Sequence, residues 1–363
     1  MSRPARAILD AQALRHNLAE VRRRAPRARV MAIVKANAYG HGLVWAARTL
    51  APDVDAFGVA AVEEGLVLRE AGITRPICLL EGFFDPAELA LLAAHDLSPV
   101  VHHEAQVRAL ETARLPRPLA VWIKVDTGMH RLGFSPPEFD AVLARLRAAA
   151  SVGQIRVMSH FAAADDPRAQ TTTQAQIDLF EATVGRAGLE RSLANSAGIL
   201  RWPAAHFEWV RPGIMLYGGS PLVGAVARDL NLRPVMTLMT SLIAVARRRK
   251  GDPIGYGPEY RCPEDMLVGV AALGYGDGYP RRMPAGTPVL VNGRPAPLAG
   301  RVSMDMLTID LRGHPEAKPG DPVVLWGPDL PADEIAARAG TISYELFCHV
   351  AKRIPRVEAG GAS

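Results

Sequence analysis

The stretch VMAIVKANAYGHG, residues 30–42, sets the frame for the chain. It opens on an unbroken apolar run, VMAIV, of the kind that forms a strand buried on both faces. That run stops at a lysine, Lys35, in a chain whose 42 basic residues include only five lysines: Lys35, Lys124, Lys250, Lys318 and Lys352. Lys124 likewise closes an apolar run, LAVWIKVD (residues 119–126). Two of the scarce amines therefore stand where strands leave a core.

Working outward from Lys35, the same texture repeats. Short β-rich runs follow at AFGVA (56–60), PICLL (76–80), LSPVV (97–101), LAVWIKVD, IRVMSHF (155–161), RSLANS (191–196) and WVRPGI (209–214). Between them lie segments of helical period such as VEEGLVLREAG (62–72), PAELALLAAHD (86–96) and PEFDAVLARLRAAA (137–150). Eight strand–helix units in about 190 residues predict a (β/α)8 TIM-type barrel over residues 8–225. A doubly wound sheet is the alternative, and the count of eight favours the barrel.

Beyond residue 225 the texture changes. MTLMTSLIAVARR (236–248), MLVGVAALGYG (266–276), TPVLVNGRPAPLAG (287–300), MLTIDL (306–311) and PVVLWG (322–327) read as strands between Gly/Pro turns, with VNGRP as a hairpin corner. One helix, PADEIAARAG (331–340), has Pro at its start and Gly at its end. The α/β barrel is thus expected to lead into a mainly β domain, residues 226–363. The early strand RAILD (6–10) could pair with that domain, within residues 1–10.

Composition narrows the function classes. Of 363 residues, 49% are apolar and 22% charged, which is ordinary for globular proteins. A net charge of +5 could suit a polyanion, but the arginines are scattered and RRRK (247–250) is the one dense cluster, so no nucleic-acid partner is expected. Cys78, Cys262 and Cys348 lie far apart with no metal or redox spacing, which fits a reducing compartment. MSRPARAILD lacks a signal-peptide core and no apolar run reaches membrane length, so a cytoplasmic protein with no membrane partner is expected.

In a barrel, polar groups at the C-terminal strand ends converge on one mouth. Here those groups are Lys35, Lys124 with Asp126, His160, Asn195 with Ser196, and Arg211. Taken singly each has a plain structural explanation: Lys35 could reach the surface, His160 could be a satisfied core histidine, and Arg211 could pair with Glu208 or Asp126. Gathered on one rim they restrict the chemistry. No paired cysteines, His-rich metal cluster or Gly-x-Ser-x-Gly elbow is present, so no metal is expected. A desolvated lysine can condense with a carbonyl, and pyridoxal 5'-phosphate would bring a phosphate to the loops after strands seven and eight. Those loops carry NSAG (195–198) and RPGI (211–214), with a hydroxyl at Ser196 and room for close backbone approach at Gly213.

At this point the chain resembles the alanine racemases, pyridoxal-phosphate-dependent isomerases of fold type III. AIVKANAYGHG is similar to their cofactor-attachment motif. KVDTGMHRLGF (124–134), SHFAAAD (159–165), NSAG, VRPGIMLYG (210–218), GYG (255–257), GYGDGYPR (274–281) and GRVSMD (300–305) resemble further motifs in the same order.

The resemblance implies that Lys35 carries the cofactor and is one of two catalytic bases. The other would be Tyr256, supplied by the second subunit of a homodimer. A phenol ordinarily titrates at about 10, so surroundings must tune it; the family pattern suggests His160, with Arg211 behind it. Arg211 would also face the pyridine nitrogen and, having only donors, leave it unprotonated. Tyr39, Ser196 and the backbone of Gly213 and Ile214 would hold the phosphate, with Asn195 beside them. Arg131 would contact the cofactor phenolate and the substrate carboxylate, the latter also held by Met304 and Asp305 of the other subunit. Asp165, Tyr275, Arg281 and Arg301 would line a narrow entrance that suits a methyl side chain.

Lys124 matches a position carbamylated in some relatives; a plain lysine paired with Asp126 is the alternative. Ser303 replaces a cysteine found in some relatives, and Lys352 stands where some carry a phosphate-binding tyrosine. The implied reaction interconverts L- and D-alanine, serving D-alanine and peptidoglycan synthesis or D-alanine breakdown. A decarboxylase of the same fold, a broad-specificity racemase and a non-catalytic cofactor carrier are the rivals.

Overall fold

Eight parallel strands, one from each apolar run, close into a barrel in the computed structural model, which describes residues 3–257 and 259–359. They are Arg29–Ile33, Ala56–Val59, Ile77–Leu79, Leu97–Val101, Leu119–Lys124, Val152–Met158, Arg191–Ser192 and Trp209–Val210. Closure comes from parallel pairing of Arg29 with Trp209 and Val30 with Val210. The strands are short and, apart from Val152–Met158 with its exposed start, mostly buried, because helices cover their outer faces while their inner faces fill the barrel.

Inside, Met31, Ile33, Ala56, Cys78, Val100, Trp122, Met158 and Trp209 form a plug separate from the outer core. Trp122 and Trp209 meet edge to face at 5.8 Å. The guanidinium of Arg29 lies over Trp209 at 4.8 Å, and that of Arg156 at 5.6 Å. The Trp209 indole N–H donates to Glu190 at 2.9 Å, and Glu190 also pairs with Arg156. This end of the barrel is sealed, so ligand space can exist only at the other end.

The second half is a mainly β domain built on one long strand, Met236–Arg248, which pairs antiparallel with Met266–Ala271 and with Pro322–Trp326. A register shift between Leu242 and Ala244 interrupts its ladder with Met266–Ala271. Pro288–Val291 and Arg294–Pro297 form the hairpin; Asn292 and Gly293 both have positive φ, 50° and 77°, as a type I′ corner needs. The strand Arg6–Leu9 joins this sheet, antiparallel to residues 236–239 and parallel to Arg356–Glu358. No helix among the described residues is long and apolar enough to cross a membrane.

One expectation is corrected. The β domain holds two helices rather than one: Ala332–Arg338, and Ser343–His349 in the stretch SYELFCH. SYELFCH has no Pro at its start and no Gly at its end, the signals that mark PADEIAARAG. The helix persists because Leu346 and Phe347 are buried against the rest of the chain.

The sealed end gives a direct prediction. Trp209→Ala should destabilise the fold by about 3–5 kcal/mol, seen as a lower urea midpoint; an unchanged midpoint would show that the plug does not carry the barrel.

Candidate functional site

The strand ends opposite the tryptophan plug surround a cavity of about 430 Å³. Lys35, Tyr39, Lys124, Arg131, His160, Asn195, Ser196, Arg211, Gly213 and Ile214 all line it. They arrive from five strand ends, those of Arg29–Ile33, Leu119–Lys124, Val152–Met158, Arg191–Ser192 and Trp209–Val210, so closure of the barrel brings together residues far apart in sequence.

Lys35 is followed by an unusual piece of backbone. Ala36, Asn37, Ala38 and Tyr39 have φ of 53°, 55°, 54° and 51°, a full left-handed turn without a glycine. The left-handed conformation costs about 1–2 kcal/mol per L-residue. The turn ends on Gly40, whose absent Cβ would fall 2.0 Å from the Phe347 carbonyl oxygen, so the helix Ser343–His349 packs directly on it.

Tyr39 stacks on Tyr217 at 4.9 Å, and the Tyr217 hydroxyl donates to the Ile33 carbonyl at 2.8 Å. A Cβ on Gly213 would lie 2.5 Å from the Tyr39 hydroxyl, so only glycine lets that hydroxyl approach the loop. The Gly213 N–H donates to Ser196 Oγ at 2.9 Å, and Asn195 caps the following helix by accepting from the Gly198 N–H. Burial raises the Tyr39 phenol above its usual value, so it stays a neutral donor. Tyr344 lines the cavity too, 6.0 Å from Tyr39 ring to ring, and burial raises its phenol likewise.

Tyr344 is the residue that sequence reasoning missed. Lys352, expected near this region, is exposed and does not line the cavity. Tyr344 and Phe347 stand three residues apart, a spacing that matches one helix face, but two positions do not by themselves establish a helical period.

Arg211 is fully buried without a carboxylate partner among the described residues. It donates to Ser192 Oγ and to the Ser159 carbonyl, each at 2.6 Å, and to His160 Nδ1 at 3.2 Å. The proposed pairings with Glu208 and Asp126 do not form. Glu208 binds Arg191, while Asp126 accepts from the backbone of Gly128, Met129 and His130. Burial lowers the Arg211 guanidinium to about 10, which leaves it cationic at neutral pH. Because arginine can only donate, His160 Nδ1 is an acceptor and the ring proton sits on Nε2. Burial, reinforced by Arg211, holds His160 well below its ordinary pKa, hence neutral.

Lys124 is buried, and no hydrogen bond joins it to Asp126 among the described residues. Burial, then the charges of Arg211, Arg131 and Lys35, lowers its amine to about 8. With Glu81 as the one acidic lining residue, the cavity carries an excess of positive charge suited to anionic ligands. Among the described residues no group of His, Cys, Asp and Glu is placed to hold a metal.

The remaining expected residues lie elsewhere. Tyr256 is 70% exposed and Met304 is 55% exposed, and neither lines the cavity. Both sit on loops of the β domain, and backbone bonds tie the Met304 loop to its neighbour: the Tyr275 N–H donates to the Ser303 carbonyl at 3.0 Å and the Gly276 N–H to the Met304 carbonyl at 2.8 Å. A Cβ on Gly257, next to Tyr256, would lie 3.2 Å from the Arg301 guanidinium. Arg281 and Arg301 line a separate groove with Glu259, which accepts from Arg301 Nε at 2.8 Å. Asp305 binds Arg353 at 2.6 Å. Asp165 is half-buried, its carbonyl accepting from the Val223 N–H at 3.3 Å.

Comparison with known proteins follows the same division. A family model described as "Alanine racemase, N-terminal domain" matches residues 9–221, and one described as "Alanine racemase, C-terminal domain" matches residues 235–358. An alanine racemase of Nitrosococcus oceani is 55% identical over 351 residues, 96% of this chain and 98% of that protein. A catabolic alanine racemase of Pseudomonas aeruginosa is 50% identical over 358 residues, 99% of each. The crystal structure of the biosynthetic alanine racemase of the same organism has a TM-score of 0.94 at 46% identity, covering 98% of this chain and 99% of that one.

The contact between Gly213 and Tyr39 is testable. Gly213→Ala should weaken retention of pyridoxal phosphate at least roughly tenfold, ~1.4 kcal/mol, measured by equilibrium dialysis; unchanged retention would mean the hydroxyl is not needed there.

Proposed function

The chain belongs to the alanine racemase family, and on that premise we propose that it interconverts L- and D-alanine with pyridoxal phosphate and two bases, in sites shared by a homodimer. One observation carries the reading. The cavity holds Lys35 but not Tyr256, while Tyr256 and Met304 are exposed on the β domain and Arg301 approaches Gly257 beside Tyr256. Each chain thus presents two incomplete halves that a second copy can complement.

The donors of the cavity fit the cofactor. Tyr39, Ser196, Tyr344 and the backbone at Gly213 and Ile214 would hold the phosphate, with the Gly213 cradle letting the Tyr39 hydroxyl in. Lys35 would carry the aldehyde carbon. Arg211, cationic and unable to hand over its proton, would donate to the ring nitrogen and leave it unprotonated. When bound, the cofactor withdraws electrons from the substrate α-carbon and so acidifies its C–H bond.

Inversion needs a base on each face of the α-carbon, because a single base would return the proton to the side it left. Lys35 serves one face, and Tyr256 of the partner subunit serves the other. The Nε2–H of His160, fixed by Arg211 at Nδ1, is the donor available to stabilise the phenolate oxygen of that tyrosine. Arg131, with Met304 and Asp305 of the partner subunit, would orient the substrate carboxylate. Asp165, Tyr275, Arg281 and Arg301 would bound the entrance and favour the methyl group of alanine over larger side chains.

The barrel is taken as residues 8–225 and the β domain as 226–363, with residues 1–10 joining the latter. Unpaired Cys78, Cys262 and Cys348 support a cytoplasmic location. The reaction is reversible, so it can supply D-alanine for the cell wall or return it to L-alanine.

Lys124 is carbamylated in this reading. Its amine, lowered to about 8, holds far more of the CO2-reactive neutral form at neutral pH than an ordinary lysine. The product carbamate is an anion among Arg131, Arg211 and Lys35. At fixed dissolved CO2 the neutral amine, and with it the carbamate, should increase as pH rises through about 8. A 13C carbamate resonance from labelled bicarbonate should follow that rise and vanish in Lys124→Ala; its persistence in the variant would place the modification elsewhere.

Subunit mixing tests the shared site. Lys35→Ala and Tyr256→Phe chains are each expected to be inactive, and a statistical mixture should regain about a quarter of the parent activity, because one site in each mixed dimer is intact. No recovery on mixing would place both bases in one chain.

A further inference from the structure

The left-handed turn after Lys35 is held by partners outside it. Its internal bonds, Gly40 N–H to the Ala36 carbonyl at 3.0 Å and Gly42 N–H to the Asn37 carbonyl at 2.9 Å, do not by themselves select the left hand. Ala36, Ala38 and Tyr39 all prefer the right-handed conformation. Rewinding would change the directions in which Lys35 and Tyr39 leave the backbone, because side chains leave the two helix hands in different directions.

Three side chains oppose that rewinding. Glu64 accepts from the Ala36 N–H at 2.7 Å and from the Ala60 N–H at 2.8 Å, bridging the exits of the first two barrel strands. His41 is fully buried, and its Nδ1 faces the carbonyls of Ala38 at 3.1 Å and Tyr39 at 3.0 Å. Both partners are acceptors, so Nδ1 carries the proton. The ring cannot turn away, since it stacks on Tyr217 at 4.7 Å and meets Phe347 edge-on at 5.0 Å. Arg356 closes the turn by donating to the Gly40 carbonyl from Nε at 3.1 Å and from its terminal nitrogen at 3.0 Å.

We propose that His41 and Glu64 are positioning residues of the reaction, holding the left-handed turn so that Lys35 and the Tyr39 hydroxyl keep their orientation toward the cavity. Neither lines the cavity, so each acts through the backbone it binds. The proposal rests on the reading of Lys35 as a base and deepens it.

The test uses the holoenzyme and four variants. His41→Phe keeps an aromatic ring and removes the donor, while His41→Asn restores an N–H near the Nδ1 position. Glu64→Ala removes both acceptors, and Glu64→Gln restores one. His41→Phe and Glu64→Ala should lower kcat by roughly 10–100-fold, with KM for alanine changed less than about threefold. Amide hydrogen exchange over residues 36–42 should accelerate in both. The Asn and Gln variants should recover at least roughly tenfold of the lost kcat.

Parent-like exchange over residues 36–42 in His41→Phe and Glu64→Ala would overturn the proposal. Equal kcat losses in His41→Phe and His41→Asn, or in both Glu64 variants, would do so too. If His41→Phe does not fold, the Glu64 pair decides alone. A parent protein without racemase activity would sink the functional reading instead. Amide exchange, and borohydride trapping of the cofactor on Lys35, would still judge the clamp.

Discussion

The pairing that closes the barrel governs everything downstream of it. Arg29 and Val30 lie beside Trp209 and Val210, and the Ile33 N–H donates to the Pro212 carbonyl at 2.9 Å. This register sets Lys35 next to Arg211 and Gly213, although the sequence separates them widely. A slip by one residue would turn Ile33 out of the interior plug and carry Lys35 off the mouth. The tryptophan plug and the closing bonds thus act together, one filling the barrel and the other fixing its rotation.

Much of this was legible in the sequence, for definite reasons. Strands buried on both faces need continuous apolar runs, so VMAIV, LAVWIKVD and WVRPGI stand out without any alignment. Polar residues at the ends of such runs have one place to go, which makes Lys35, Lys124, His160 and Arg211 readable as a group. Tyr344 was not legible, because its place depends on how a seven-residue helix packs against Gly40. The left-handed turn was hidden for a similar reason: apart from Asn37, its residues carry no local preference for that hand. The true partners of Arg211 were also obscure, since serine hydroxyls and backbone carbonyls leave no charge pattern to read.

The barrel cavity and the exposed loops of the β domain differ in physical character. The barrel half is enclosed and cationic, built from side chains whose titration burial has shifted. The β-domain half is open, its tyrosines and methionine facing outward on loops joined by backbone bonds. Asp277 underpins that second half. Fully buried, it accepts from Arg3 and Arg353, and Arg353 reaches on to Asp305. A rigid loop frame of this kind can present side chains to another molecule without rearranging.

The grip of Arg356 on the Gly40 carbonyl has a bearing on the order in which the protein is made. A ribosome delivers the first barrel strand and Lys35 long before Arg356. Until that arginine arrives, the Gly40 carbonyl lacks its guanidinium donor, and the strand Arg6–Leu9 lacks its parallel neighbour Arg356–Glu358. A chain cut short before residue 356 can wind its barrel and still lack one brace on its reactive lysine. The support of the turn after Lys35 is therefore complete only once Arg356 has been made.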